Sequence, residues 1–372
     1  MQQTRYTVIG AGHGGKAMAA DLATRGFPVH LFNRTAKRIA EIRLRGEIEL
    51  EVEEGKNRRG RLELVTSDIA QALRGADVIM VVVPASGHRD LACQCLPHLR
   101  DGQVVVLHPG RTGGALEFRR VLDQRGCAAD VIVAEAGTFI FASRSTGPAQ
   151  ARIFRRKNAV PLAALPATRT GHVLEVLCEA YPQFIPAPDV LHTSLDNMGS
   201  IFHPALTLLN TGWIENTNGE FQFYIDGVTP STAHVLEVLD RERVTVASAL
   251  GVRARPALRW LKDAYSADGT NLYEAIHANP GYQGLRAPRN LRHRYIFEDV
   301  PFSMVPLVSL GKQFGVNTWA TDAMIRLACV VHGTNYFERG RTVEDMGLKG
   351  LRVSEVIRYV REGQVSPVYT AD

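Results

Sequence analysis

The stretch VIGAGHGGKA, residues 8–17, constrains the fold more than any other part of the chain. Gly10, Gly12 and Gly15 stand in GxGxxG spacing, directly after the β-rich run RYTVIG and directly before KAMAADLATRG, whose apolar spacing is helical. Alone the pattern is weak, but at a strand-to-helix junction it has a mechanical reading. The glycines allow a tight turn, let a pyrophosphate approach the backbone and let the helix pack close to the strand. The helix N-terminus then offers unpaired N–H groups to the anion. The chain is therefore expected to begin with a Rossmann-type dinucleotide-binding domain.

The pattern downstream agrees. PVHLFNR, DVIMVVVP, GQVVVLHPG and DVIVAEA read as strands, separated by the helical stretches AKRIAEIRLRG, DLACQCLPHL and ALEFRRVLDQRG. VIMVVV is apolar on both faces, as expected for a parallel sheet covered by helices on both sides. After PQFIPAPD, which reads as a Pro-rich linker, the apolar periods become helical, as in TPSTAHVLEVLDRERVTVASALG, RPALRWLKDAYS and WATDAMIRLACVVHG. A length of 372 residues suits two domains rather than one ordinary core. The expected architecture is an α/β Rossmann-type parallel sheet domain over residues 1–185, followed by an all-α substrate and catalytic domain over residues 186–372.

Bulk properties exclude several classes. The 5 cysteines include no CxxC pair and the 12 histidines no HExxH, so neither a disulfide framework nor a metal site is expected. No apolar run approaches the roughly 20 residues of a membrane helix, and the N-terminus lacks the order of a signal peptide. These features predict a cytoplasmic protein with no membrane partner. The net charge of +5 sits partly in GKNRRGR (55–61) and RIFRRK (152–157), read as solvated loops and strand edges. Nucleic-acid binding would require a basic face interleaved with aromatics or a known module, and neither is evident.

The end of the second strand bears on cofactor choice. NAD-binding folds usually place an acid there to bond the ribose 2′-hydroxyl. Here the sequence is LFNRTAKR, with Asn33 in the acid's place and Arg34 after it. Arg34, with Thr35 and Arg38 assisting, suits a 2′-phosphate, so NADP(H) is the expected cofactor, with NAD(H) the alternative. The loops VVVPASGH, containing Pro84, and LHPGRTGG end further strands at the same sheet edge, where they should lie along the nicotinamide half.

Two residues of the second half carry candidate chemistry. His203 lies in the apolar stretch SIFHPALTLLN, and Asp299 in RYIFEDVPFSMVPL, where an acidic pair interrupts an apolar run. A core histidine bonded to a carbonyl is one reading of the first, and a helix N-cap is the ordinary role of the second. Together they make a different unit: an imidazole that donates one N–H to a buried carboxylate has a fixed tautomer and a raised pKa. Such a pair gives or takes a proton beside a carbon that exchanges hydride.

The blocks GAGHGGKAMAADLA, HPGRTGGALEFR, VLHTSLDNMGSIFHPALTLLN, FQFYIDGVTPS, NLYEAIHANPGYQG and RYIFEDVP run nearly end to end in order. In them the chain resembles the opine dehydrogenases. That resemblance implies condensation of an L-amino acid or other amine with a 2-keto acid, usually pyruvate, and reduction of the imine by a nicotinamide cofactor in a cleft between domains. It places the family's catalytic histidine on His203, its aspartate partner on Asp299 and a carboxylate-holding arginine on Arg294. One member of that family has an acid at the end of the second strand and uses NAD, and this chain departs there with Asn33 and Arg34. A homodimer through the helical domain is a further implication.

Lesser candidates are Asn197, for a substrate or cofactor amide, Thr138, for the keto acid, Thr112, for the cofactor, and Tyr282, for the wall of the substrate pocket. His192 and His234 are read as structural. FQFYIDG and YQG suggest an aromatic-walled pocket. Two competing readings are a ketopantoate or β-hydroxyacid-type reductase, which would use a lysine in the helical half, and a non-catalytic NADPH sensor. After residue 186 only Lys262, Lys312 and Lys349 are present.

Overall fold

The computed structural model describes residues 3–52 and 57–364. It resolves into two compact units. The first takes the described residues up to Gly110, then Gly114–Thr193, and those from Arg358 onward. The second takes Arg111–Gly113 and Ser194–Ile357.

The first unit is built on twelve strands: β1 (Tyr6–Ile9), β2 (Val29–Phe32), β3 (Glu47–Val52), β4 (Asn57–Arg61), β5 (Leu64–Thr66), β6 (Val78–Val81), β7 (Val104–Leu107), β8 (Ile132–Ala136), β9 (Phe141–Gly147), β10 (Gln150–Arg156), β11 (Val160–Leu165) and β12 (Phe184–Pro186). An 8-stranded sheet has the order β12-β11-β8-β7-β6-β1-β2-β5. Its pairs are parallel except β8 with β11. Every residue of β1, β2, β6 and β7 is buried, which explains the unbroken apolar runs of β6 and β7. Helix α1 (His13–Thr24) follows β1, and its small residues Ala17, Ala19 and Ala20 are fully buried. Helix α2 (Ala36–Arg45) ends at Gly46 in the left-handed conformation, the C-cap its sequence suggests.

A second sheet of 4 strands, β4-β3-β10-β9, has no counterpart in the sequence reading. It packs closely on α1, since a Cβ on Gly60 would stand 2.6 Å from the Ala20 carbonyl oxygen. The two basic stretches fall here as strands. Arg59 and Arg61 lie 3.4 and 3.9 Å from Glu47, and Arg152 lies 3.3 Å from Glu51. Their charge is thus partly answered within the sheet; Gly55 and Lys56 lie outside the described residues.

The stretch expected as a linker contains β12, the edge strand that pairs with β11. Pro186 is tolerated there because an edge strand does not need every N–H. By contacts the units part between Thr193 and Ser194, and the described residues from Arg358 onward group with the first unit.

The second unit is helical apart from an isolated bridge between Gln222 and Arg286. Its long helix Pro230–Ala249 has Thr229 as N-cap, whose hydroxyl accepts from the Thr232 N–H, and Gly251 follows at φ 72°. The helix Gly199–Leu209 contributes Ile201, Phe202, Ala205, Leu206 and Leu208 to the core. Full burial of such a side chain contributes about 1.5–3 kcal/mol.

Candidate functional site

The glycine turn is built as its spacing implies. Gly10 has φ 110°, and a Cβ there would meet the Val82 carbonyl oxygen at 2.4 Å. The glycine thus lets the loop after β6, which continues to Pro84, run against the loop after β1. A Cβ on Gly15 would stand 1.7 Å from the Gly10 oxygen, so the helix closes on the turn only without a side chain. Gly12 differs: a Cβ there meets nothing within 4 Å. Gly12 is the N-cap of α1, and no side chain caps that terminus. Open space over an uncapped helix start fits a dinucleotide pyrophosphate.

Asn33 is drawn into this turn. Its Oδ1 accepts from the Ala11 N–H at 3.0 Å and its Nδ2 donates to the Thr35 carbonyl at 3.1 Å. Arg34, Thr35 and Arg38 are exposed. Sequence reasoning overlooked Lys16, in the first turn of α1. Its ammonium is buried and donates to Ser145 Oγ at 3.0 Å and the Gly147 carbonyl at 2.9 Å. Burial, with Arg38 nearby, pulls its pKa below the ordinary lysine value. The signal was a lysine set between Gly15 and Ala17 at a helix start.

In the second unit His203 and Asp299 come together from positions 96 residues apart, His203 Nδ1 to Asp299 Oδ2 at 2.9 Å. His203 sits inside the helix Gly199–Leu209, one residue before Pro204, and its side chain is 23% exposed. Asp299 is fully buried and caps no helix with its side chain. It precedes the wide π-helical turn Val300–Met304, a geometry found frequently at functional sites. An ionised carboxylate only accepts, so the shared proton belongs to Nδ1, leaving Nε2 for chemistry. The opposite face of the arrangement holds Arg111, which lies 2.9 Å from Asp299 Oδ1 and whose Nε donates to Glu298 Oε1 at 3.3 Å. Burial alone would push the Asp299 carboxyl up, but Arg111 and His203 hold it below the usual carboxylate range. Glu298 is held down likewise, against burial, by Arg111 and Arg294.

The other expected site residues divide. Asn197 joins the cluster: it is buried and donates to Ser303 Oγ at 2.8 Å. A Cβ on Gly199 would lie 2.8 Å from Arg111 Nη1, 3.2 Å from Asn197 Oδ1 and 3.4 Å from Asp299 Oδ1, so these groups converge over a glycine. Arg294 reaches Glu298 Oε2 at 2.9 Å while its side chain stays 58% exposed. Thr112 is buried, with its hydroxyl donating to the Ser194 carbonyl at 3.3 Å. Thr138 follows β8 in the first unit and accepts from Lys157 Nζ at 2.6 Å. His192 pairs with Asp189 at 2.8 Å and His234 is exposed.

The helical stretch 186–332 matches the family profile described as NAD/NADP octopine/nopaline dehydrogenase, alpha-helical domain. Residues 5–110 match that of the NAD-dependent glycerol-3-phosphate dehydrogenase N-terminus. Over 358 residues, 96% of this chain and 98% of the other, the protein is 39% identical to an opine dehydrogenase of Arthrobacter sp. (strain 1C).

The chain belongs to the opine dehydrogenase family. As an opine dehydrogenase-type enzyme it is an NAD(P)-dependent oxidoreductase, one that reductively condenses an amino acid with a keto acid. Its fold is that of octopine dehydrogenase solved with NADH and L-arginine, with a TM-score of 0.82 and 22% identity over 95% of this chain and 98% of that one. Yersinopine dehydrogenase with NADP+ bound superposes with a TM-score of 0.75 and 17% identity, covering 97% and 99%. In this opine dehydrogenase the aromatic residues form a continuous stack from the histidine. His203 lies on Tyr295 at 4.0 Å, Tyr295 on Phe223 at 5.4 Å, Phe223 against Tyr224 at 5.2 Å, and Tyr224 on Tyr282 at 4.0 Å. Tyr282 is buried in that stack. Sequence reasoning overlooked Tyr295 and Arg111, although they lie in RYIFEDVP and HPGRTGGALEFR, because each acquires its neighbours only on folding. Among the described residues no three His, Cys, Asp or Glu side chains gather as a metal site would require, and no helix is long and apolar enough to cross a membrane.

Proposed function

We propose that this opine dehydrogenase joins an L-amino acid to a 2-keto acid such as pyruvate, uses NADP(H) in preference to NAD(H), and employs His203 and Asp299 as its proton-handling pair. The observation that carries the reading is the 2.9 Å contact between a half-buried imidazole and a fully buried, ion-paired carboxylate. His203 donates a proton from Nε2 to the departing oxygen as carbinolamine becomes imine. Asp299 holds the ring through Nδ1 and faces the positive charge of the protonated form. Arg294, exposed beyond its contact with Glu298, has donors for a substrate carboxylate. Asn197 fixes the turn before His203 through Ser303. Bound cofactor supplies the hydride that reaches the imine carbon.

For the cofactor, Gly10, Gly12 and Gly15 form the pyrophosphate turn and Pro84 continues the neighbouring loop. Arg34, Thr35 and Arg38 are the contacts for a 2′-phosphate. The absence of an acid at residue 33 and the use of Asn33 to hold the turn support this preference. Thr138 is assigned to the keto acid and Tyr282 to the wall behind the amino-acid side chain. A finer likeness, to the bacterial N-(1-carboxyethyl)-L-norvaline dehydrogenase, accords with an apolar amino acid against that aromatic wall.

A lysine-dependent hydroxyacid reductase is disfavoured. Lys262 pairs with Asp268 at 2.7 Å and Lys349 with Glu344 at 3.0 Å on the surface, and Lys312 is exposed. The deciding assay is oxidation of NADPH and of NADH with pyruvate, with and without a pool of L-amino acids. The reading expects turnover that requires both substrates and is faster with NADPH. Turnover with keto acid alone would replace it with a hydroxyacid reductase, and binding without turnover in any mixture with a sensor. Cytoplasmic location and a homodimer complete the proposal; light scattering of the purified protein tests the dimer.

A further inference from the structure

Arg111 stands out twice. It is a non-glycine residue at φ 60°, a left-handed conformation that L side chains adopt at a cost and that persists where the surroundings dictate it. Its neighbour Gly113, at φ 76°, has the residue type this region favours. The Arg111 side chain is only 9% exposed, and its fork spans two adjacent carboxylates, Glu298 at 3.3 Å and Asp299 at 2.9 Å. Three residues, Arg111–Gly113, are the part of the loop after β7 that groups with the helical unit. The turn is fastened there: the Thr112 N–H donates to the Phe302 carbonyl at 3.2 Å, and the Gly113 N–H to Ser194 Oγ at 2.9 Å. A strained backbone is thus held so that one guanidinium reaches the side of Asp299 that His203 does not use.

We propose that Arg111 is a positioning residue for the reaction, the third member of an Arg111–Asp299–His203 chain, which fixes the Asp299 carboxylate so that the proton of the pair resides on His203. The inference rests on the reading of His203 as the proton donor. Two anions side by side and a half-buried imidazole form one electrostatic unit with Arg111. Asp299 takes Arg111 on one oxygen and His203 on the other. Charged or titratable groups around the pair include Glu298, Arg294, His293, Tyr295 and Tyr224. His293 lies edge-on to Tyr295 at 4.3 Å and is pulled below the ordinary imidazole range by burial and by Arg294 and His203. Removing the cation from Asp299 leaves the buried pair more negative. The pair then keeps its proton to higher pH and shares it with the carboxyl, and the imidazole becomes a poorer donor.

The test is Arg111→Met beside Arg111→Lys, read by nitrogen NMR of the His203 ring and by the pH profile of turnover. His203→Ala assigns the ring signals and separates them from those of His293. In Arg111→Met the His203 midpoint should rise. The turnover number should fall by about 10–100-fold, as for loss of a charged hydrogen bond, with KM changed much less. Arg111→Lys keeps the cation and should bring the midpoint back towards that of the parent. If Arg111→Met does not fold, Arg111→Gln, which keeps amide donors but carries no charge, carries the same expectation. An unmoved His203 midpoint in a folded variant lacking Arg111 overturns the proposal. So does failure of lysine to restore it. Near-normal turnover in His203→Ala would instead overturn the proton-donor reading, and the ring titration would still report whether Arg111 governs the pair.

Discussion

The two units build their candidate sites by opposite means. In the first, the cradle is backbone: Gly10, Gly12 and Gly15 lie within six positions of one another, and what matters is the side chains they lack. In the second, the site is side chain: His203 and Asp299 meet across 96 residues, and Arg111 reaches Glu298 across 187. A local turn can be built by steric permission alone. A buried charge cluster exists only when several distant segments are packed together, because each ion alone would be too costly to desolvate.

The largest expected effect divides the units most sharply. His203→Ala should lower the turnover number by about 10²–10⁴-fold, the usual contribution of general acid–base catalysis, while the Kd for NADPH, measured by fluorescence titration, stays within about twofold of the parent, a ΔΔG below ~0.5 kcal/mol as for a site outside the contact. Parallel loss of binding and turnover would end the separation.

Asp299→Ala comes next. It strands Arg111 between a cavity and Glu298, and breaking a buried pair in this way costs about 3–5 kcal/mol. Chemical denaturation measures it, and a loss below 1 kcal/mol would show that the cluster contributes little to stability.

Two glycine substitutions sharpen the other side of the comparison. Gly15→Ala drives a methyl onto the Gly10 oxygen and should destabilise the fold by about 1–3 kcal/mol, as overpacking does. Gly12→Ala meets open space, so its melting temperature should hold while NADPH affinity falls. Equal behaviour of the two would mean that the space over Gly12 is not the pyrophosphate site. Arg34→Glu should reduce preference for NADPH over NADH by about 10–100-fold, the worth of a charge-assisted hydrogen bond, read as a ratio of kcat/KM values.

The smallest effect is on stability against acid. Asp299 and Glu298 are held below their ordinary values of 3.8 and 4.5. Groups with depressed folded pKa values contribute stability that is fully present above the ordinary values and is lost as pH falls through the folded ones. Stability should therefore decline below about pH 4, and Asp299→Asn should decline less steeply. Identical acid limbs would remove Asp299 from that balance.

Much was legible without coordinates, and particular residues show why. The buried strands Val78–Val81 and Val104–Leu107 announce themselves because both faces are covered, so every position is apolar. Gly46 and Gly333 mark helix ends because the left-handed cap favours glycine. The second sheet was hidden, since β4 reads NRRGR and its stability comes from pairing with β3. The edge strand β12 was hidden too, since a proline-rich run has no period and only its partner β11 makes it a strand.

The same physics separates what the chain determined alone from what folding decided. Backbone preferences and apolar periodicity act over a few residues, so the glycine turn, the order of strands and helices and the change to an all-helical second half follow from the sequence directly. The resemblance of its ordered blocks also pointed to His203 and Asp299. That Asp299 is fully buried, shared between His203 and Arg111, and stacked through His203 onto Tyr295 was decided only by the tertiary structure. Desolvation and Coulomb attraction depend on distance in space, and for those residues distance along the chain carries no information about it.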